Sequence, residues 1–180
     1  QIIAVVGLIG SGKTEATAAF IAAGFPRVGF NDVIYEELRA RNLDTNEPNE
    51  RRVREELREE LGMGVMAMKS LPKVEALVAE GKNIVVESLY SWDEYKIMKE
   101  RFGGAFRVLA IYAPPHIRYG RLAVRPVRPL MGEMAHLRDH AEIENTFKAG
   151  PIAMADWTIQ NTGVREDFVN EIKKFIGGLS

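Results

Sequence analysis

Gly7-Leu8-Ile9-Gly10-Ser11-Gly12-Lys13-Thr14 is the stretch from which the rest of the chain is read. It fits G-x-x-x-x-G-K-S/T, in which glycines let the backbone turn tightly and aim N–H groups into an anion-binding nest at a helix N-terminus. Its setting makes it more than a pattern. Ile2-Ile3-Ala4-Val5-Val6 before it is an apolar run that reads as a strand buried on both faces. Glu15 to Ala23 after it is rich in helix formers, and Gly24 closes it at a C′ position. The residues Gly7, Leu8, Ile9, Gly10, Ser11 and Gly12 are therefore expected to cradle phosphates. Lys13 is expected to reach the β- and γ-phosphates as a point charge, and Thr14 to offer its hydroxyl to a bridging Mg2+.

At 180 residues the chain reads as one domain, 1–180, large enough to bury a core. Its 46% hydrophobic and 27% charged residues are ordinary for a globular protein. A formal net charge of -1 offers no global field for nucleic acid or an anionic membrane, and neither is expected as a partner. With 0 cysteines there is no disulfide framework and no thiolate metal site, which fits a cytoplasmic protein. No signal peptide precedes the first strand, and no apolar run approaches membrane-spanning length. The chain opens on Gln1, directly in that strand, and is expected to lack an initiating methionine. A monomer or small homo-oligomer is expected.

Farther along, Phe25 to Phe30 reads as a turn and short strand, and Asn31-Asp32 as side-chain caps of a helix to Arg41. A polar loop runs from Asn42 to Pro48, then a charged helix from Asn49 to Leu61 with Val53, Leu57 and Leu61 on one face. A helix from Val65 to Ala79 carries methionines read as core filler. Asn83 to Ser88 is a strand ending in a carboxylate, and Ser91 with Glu94 forms a capping box for a helix to Phe102. Phe106 to Tyr112 is a further buried strand. Helices follow at His116–Val124, Glu133–Phe147 and Pro151–Ala155, then a strand at Trp157–Gln160 and a helix at Glu166–Ile176. Alternating strands and helices imply βαβ units: an α/β fold with about five strands in a mainly parallel sheet covered on both faces.

In such sheets ligands sit beyond the carboxyl ends of the strands. Asp32 and Glu87 each follow a strand, so either can serve as base for an attacking hydroxyl or hold magnesium, Glu87 being the candidate metal ligand beside Thr14. Arg118, Arg121, Arg125, Arg128 and Arg138 form a second cluster. Arg118 reads as part of a solvated basic helix. Arg128, between two prolines, and Arg138, followed by Asp139, suit closure over a transferring phosphoryl group. His136 and His140 share a helix face without metal-ligand company and read as exposed.

With these residues in view, the chain resembles the P-loop nucleoside-monophosphate-kinase-like group, most closely the dephospho-CoA kinase and archaeal adenylate-kinase-related branch. The resemblance rests on Gly7–Thr14, Asn31-Asp32-Val33-Ile34, Leu57-Arg58-Glu59 with Gly62, and Val85-Val86-Glu87-Ser88. It continues through Arg118-Tyr119-Gly120-Arg121-Leu122 with Arg125, Arg138-Asp139 with Glu142, Ile152 to Trp157, and Asn161-Thr162-Gly163. It implies a three-layer α/β/α P-loop NTPase fold with strand order 2-3-1-4-5, an acceptor-binding helical region at about 31–70 and an arginine-bearing lid at about 125–140. It implies ATP with Mg2+ and transfer of the γ-phosphoryl to a small-molecule acceptor, dephospho-CoA or a nucleotide-like compound. It further suggests that Asn161 and Gly163 lie near the adenine and that Arg128 and Arg138 match lid arginines.

Departures from the family concern the acceptor. Tyr35 and Tyr90 stand where relatives tend to carry arginines that clamp an acceptor phosphate, and tyrosine cannot replace a guanidinium there. Pro129-Leu130 replaces a pair of lid aspartates, and Glu87 stands at a position usually held by aspartate. Arg39 and Arg58 are the remaining basic residues whose spacing suits the acceptor. An ATP-dependent kinase is the first expectation, and an ATP-binding regulatory module with little or no turnover the alternative.

Overall fold

The computed structural model of the chain describes residues 1–179. Strand β1 (Ile2–Val6) leads into helix α1 (Lys13–Ala22), strand β2 (Arg27–Gly29), and helices α2 (Asp32–Ala40), α3 (Glu47–Leu61) and α4 (Val65–Ala79). Strand β3 (Ile84–Glu87), helix α5 (Trp92–Phe102), strand β4 (Phe106–Tyr112) and helices α6 (Pro115–Val124), α7 (Glu133–Glu144) and α8 (Ala149–Ala153) follow, then strand β5 (Trp157–Gln160) and helix α9 (Arg165–Gly177). The five strands pair in parallel in the order β2-β3-β1-β4-β5. The expected three-layer architecture and strand order are both present.

The pleat explains the unbroken apolar run of β1. Ile2, Ala4 and Val6 join one core with Val28, Phe30, Met66, Val86 and Phe106, beneath α2 to α5. Ile3 and Val5 enter a second core with Ala16, Phe20, Leu109, Ile111, Phe168 and Ile172, between the sheet and the pair α1 and α9. Alternate residues serve opposite faces, so neither position tolerates a polar side chain. Each fully buried Ile or Phe stabilises the fold by roughly 1.5–3 kcal/mol relative to exposure.

Several boundaries differ from the sequence reading. Helix α3 begins at Glu47, because Asn46 caps it by accepting from the Asn49 amide at 3.0 Å and Pro48 occupies the first turn, where it lacks no bonded N–H. Leu61 does not complete the apolar face of α3: Val53 and Leu57 are buried, but Leu61 is 45% exposed. Neither Asn31 nor Asp32 caps α2 through a side chain; Asp32 is drawn away by an arginine described below. Helix α7 stops at Glu144, short of Phe147, whose φ of 55° is left-handed and ends the helical path. The capping box of α5 is formed in full by Ser91 and Glu94. Among the described residues no helix is long and apolar enough to cross a membrane.

Candidate functional site

The glycine loop lies between the end of β1 and the start of α1, and its backbone cannot carry side chains at two of its glycines. Gly7 has φ 146°, and a Cβ there would lie 2.5 Å from the Ile111 carbonyl oxygen. Gly12 has φ 107°, and a Cβ there would lie 2.3 Å from the Asn161 amide nitrogen. Sequence spacing explains the turn, but only the neighbouring strands explain the closeness. The loop is held from outside by Asn161 just past β5: its Nδ2 donates to Ser11 O at 2.8 Å and its Oδ1 accepts from Arg121 Nη2 at 3.0 Å. Asn161 is thus a buttress of the loop, and Gly163 is exposed two residues on. Beside the loop opens a mostly apolar cavity of about 380 Å³, lined in part by Leu8, Ser11, Ile111, Ala113, Arg118 and Ile152.

Lys13 starts α1, and its ammonium donates to the Leu8 carbonyl at 3.0 Å. Burial, then the positive charge of Lys148, lowers its pKa to about 7, while Glu142 and Glu87 pull the other way and Arg118 adds to the lowering. Phosphate oxygens placed in the loop would restore the charged form. We therefore expect ATP binding at pH 8 to take up protons and affinity to fall as pH rises from 7 to 9. Calorimetry in two buffers of different ionisation heat checks this, and identical heats at pH 8 would refute it.

Asp32 and Glu87 come together at the carboxyl ends of β2 and β3, joined by a residue that sequence reading did not single out. Arg27 grips both oxygens of Asp32 at 3.0 Å each and donates from Nε to Glu87 Oε2 at 2.6 Å. Lys73 Nζ is also 3.6 Å from Asp32. Nothing in sequence marks Arg27, which opens an edge strand without a motif; the parallel register that sets Gly29 against Glu87 creates the triad. Glu87 is engaged through one oxygen and Asp32 through two. Ser88, next in the chain, holds a left-handed φ of 66° and accepts from the Tyr90 hydroxyl at 3.2 Å.

Arg118 corrects the sequence reading. It is 2% exposed, with its guanidinium bidentate on Asp139 at 2.7 and 2.6 Å. It also donates to Ala113 O at 2.9 Å and to the loop's Ile9 O at 3.0 Å. A pattern of spaced arginines on a helix cannot reveal that one turns inward; the partner that decides it lies 21 positions later. Arg138 is over half exposed and lies 3.6 Å from Glu142, while Arg128 is exposed in a left-handed φ of 50° and lies 3.7 Å from Glu50 on α3. His136 and His140 are exposed on α7, their rings 4.3 Å apart.

Glu142 meets the loop itself. Its Oε2 accepts from the Ile9 N–H at 3.1 Å and from Lys148 Nζ at 2.8 Å. Burial opposes its ionisation, but Lys148 and Lys13 outweigh that and hold its carboxyl below the usual range. Lys148, absent from the sequence candidates, lies over the Tyr90 ring at 4.1 Å. Nearby Arg58 has a buried Nε without a hydrogen-bond partner; burial lowers its pKa, with Glu94 acting against it. Burial also raises the pKa of Glu94 to about 7, despite its bonds from the Ser91 and Tyr90 amides. Tyr35 is 36% exposed on α2.

Among the described residues no three His, Cys, Asp or Glu side chains gather as a metal cage. The hydroxyl of Thr14 and the carboxylate of Glu87 are hard oxygen donors, the type that suits Mg2+ sharing its shell with phosphates and water.

A glycine loop at a strand–helix junction, on a five-stranded parallel sheet of this order, defines a P-loop kinase-like fold. The solved dephospho-CoA kinase from Campylobacter jejuni shares it, with a TM-score of 0.61 and 20% identity over 99% of this chain and 97% of that one. Shikimate kinase from Acinetobacter baumannii matches with a TM-score of 0.56 and 16% identity over 98% and 93%. The AAA domain model matches residues 3–134. A UPF0200 protein of Thermococcus kodakarensis is 34% identical over 98% of this chain and 96% of its own length. One of Thermococcus onnurineus is 33% identical over 98% and 96%. This chain belongs to the AAA domain family and to the UPF0200 proteins. It spans 55% of the longer UPF0200/UPF0201 protein of Archaeoglobus fulgidus.

Proposed function

We propose that the chain transfers the γ-phosphoryl of ATP, bound with Mg2+, to a small acceptor, dephospho-CoA or a nucleotide-like molecule. The observation that carries this reading is the glycine loop with Lys13 at its helix end and the buried pair of Glu142 and Lys148 against the loop's Ile9 amide. When bound, Mg2+ would screen the phosphates; Thr14 and Glu87 would hold it. Loop amides fix the donor, and Lys13, with Arg128 and Arg138 from the lid, neutralises charge on the transferring group. An acceptor oxygen bonds to the γ-phosphorus as the bond to the β–γ bridging oxygen breaks, and ADP departs. A hydroxyl acceptor surrenders its proton to Glu87 or Asp32, which Arg27 positions together.

Residues 31–70 and 125–140 supply the acceptor-binding region and lid in this reading. Support comes from the ion pair between Arg128 and Glu50, which links the two. Arg58, with an unpartnered buried Nε, supplies an acceptor contact. Arg58→Ala is expected to raise acceptor KM about tenfold or more, the effect of losing a charged hydrogen bond, with ATP KM little changed. Initial rates at varied acceptor measure this; an unchanged acceptor KM and kcat would remove Arg58 from the site.

The competing reading, an ATP-binding regulatory module, draws on Tyr90, whose hydroxyl is spent on Ser88 and which offers no guanidinium. Labelled ATP with a panel of acceptors separates the two. Transfer to dephospho-CoA or a nucleotide supports the kinase; nucleotide binding with transfer to none supports the module.

A further inference from the structure

We propose that Lys148 is a second phosphate-binding cation, which takes the terminal phosphoryl group of the bound nucleotide, and that Glu142 holds its place until that group arrives. The proposal rests on the ATP-binding reading above. Lys148 is 3% exposed, and an ammonium is expensive to bury unless its donors are used. Its ammonium contacts one carboxylate oxygen, Glu142 Oε2 at 2.8 Å, and the face of Tyr90, while Glu94 and Arg138 act on it from farther away. A lysine has three donors; the described residues supply no second acceptor for this one.

That carboxylate oxygen also accepts from the Ile9 N–H, an amide of the glycine loop. A loop built to direct N–H groups at an anion has one of them on the protein's own anion, carried from 133 positions away. The same anion is the carrier of the buried lysine. Glu142 therefore marks a position where a negative oxygen satisfies Ile9 and Lys148 together. A phosphate oxygen has the same charge and acceptor geometry.

The neighbours of Lys148 point to the terminal phosphate. Lys13, which reaches the β- and γ-phosphates in such loops, feels Lys148 and Glu142 as its strongest charged neighbours. Tyr90, beneath Lys148, follows β3 and lies near the charges of Glu142, Glu87 and Arg58. Lys148 thus stands between the donor loop and the acceptor side, where the transferring group must pass. Arg128 and Arg138 are exposed by comparison.

The test is calorimetric binding of MgATP and MgADP to the full chain and to Lys148→Met, Lys148→Arg and Glu142→Gln, with thermal melts alongside. Lys148→Met is expected to weaken ATP about tenfold or more and ADP less than about threefold, the difference being one charged contact to the terminal phosphate. Lys148→Arg restores most of the ATP affinity. Glu142→Gln tightens ATP, since the competing carboxylate charge is gone. Equal losses for ATP and ADP, or none, overturn the role of Lys148, and the arginine variant carries the test should the methionine variant melt early. Weaker ATP binding in Glu142→Gln overturns the placeholder. Should the unmodified chain bind neither nucleotide, the ATP reading itself falls and this proposal with it; nucleotide binding abolished by Lys13→Met with Lys148 variants unaffected removes this proposal alone.

Discussion

Lys13→Met is expected to lower phosphoryl transfer by at least on the order of 10²–10³-fold, the size of effect seen when one donor to a developing charge is removed, while the protein melts at or above its original temperature at pH 7. The second half of that result follows from the amine's surroundings. Its folded-state pKa of about 7 lies below the 10.5 of an exposed lysine, mainly through burial and then through Lys148. Between those two values the unfolded chain binds more proton than the folded one, so stability rises with pH across that window, and the full penalty stands below about pH 7. Removing the amine removes the penalty. Activity and stability should therefore move apart, which a residue serving only the fold cannot do. Thermal melts at pH 7 and 9 with transfer assays on the same samples measure both, and a variant that loses activity together with several degrees of stability would count against the assignment.

The largest stability effect is expected at Arg118. Arg118→Met leaves Asp139 buried at 8% side-chain exposure, with the Tyr119 hydroxyl as its remaining side-chain donor at 2.9 Å. Breaking one side of a buried ion pair costs about 3–5 kcal/mol, which for a chain of this size corresponds to a fall of roughly 10 °C in Tm. The pair also joins α6 to α7 and grips Ile9 O, so nucleotide affinity should fall with it. The double variant Arg118→Met with Asp139→Leu should recover much of the loss, because no buried charge is then left alone. Thermal unfolding of the single and double variants decides this; a loss below about 1 kcal/mol in the single variant would show that the pair does not hold α7 in place.

Some of this site was legible in the residues, and the division has a physical basis. The loop could be read because its chemistry is local: glycines, a lysine and a threonine at fixed spacing between an apolar strand and a helix. Glu87 and Asp32 could be named because a parallel sheet presents its carboxyl ends to ligands. Arg27, which unites them, could not be named, since its role exists only in the register of β2 against β3. Arg118 reads as a surface residue in the sequence because helical spacing reports neighbours on its own helix and is silent about α7. Lys148 carries no motif; Glu142 stands shortly before it in the chain, but the Tyr90 ring and the Ile9 amide meet the pair only in the folded structure.

By itself, then, the sequence determined the P-loop motif, the α/β class and the placing of two carboxylates at strand ends, because each depends on spacing along one element or one junction. The tertiary structure alone decided which charges are buried and with whom: Arg27 with Asp32 and Glu87, Arg118 with Asp139, Lys148 with Glu142 at the loop. Burial depends on segments far apart in the chain even where, as for Arg27 with Asp32 and Glu142 with Lys148, the partners are near in sequence, and a charge's cost and its use both depend on what stands opposite it.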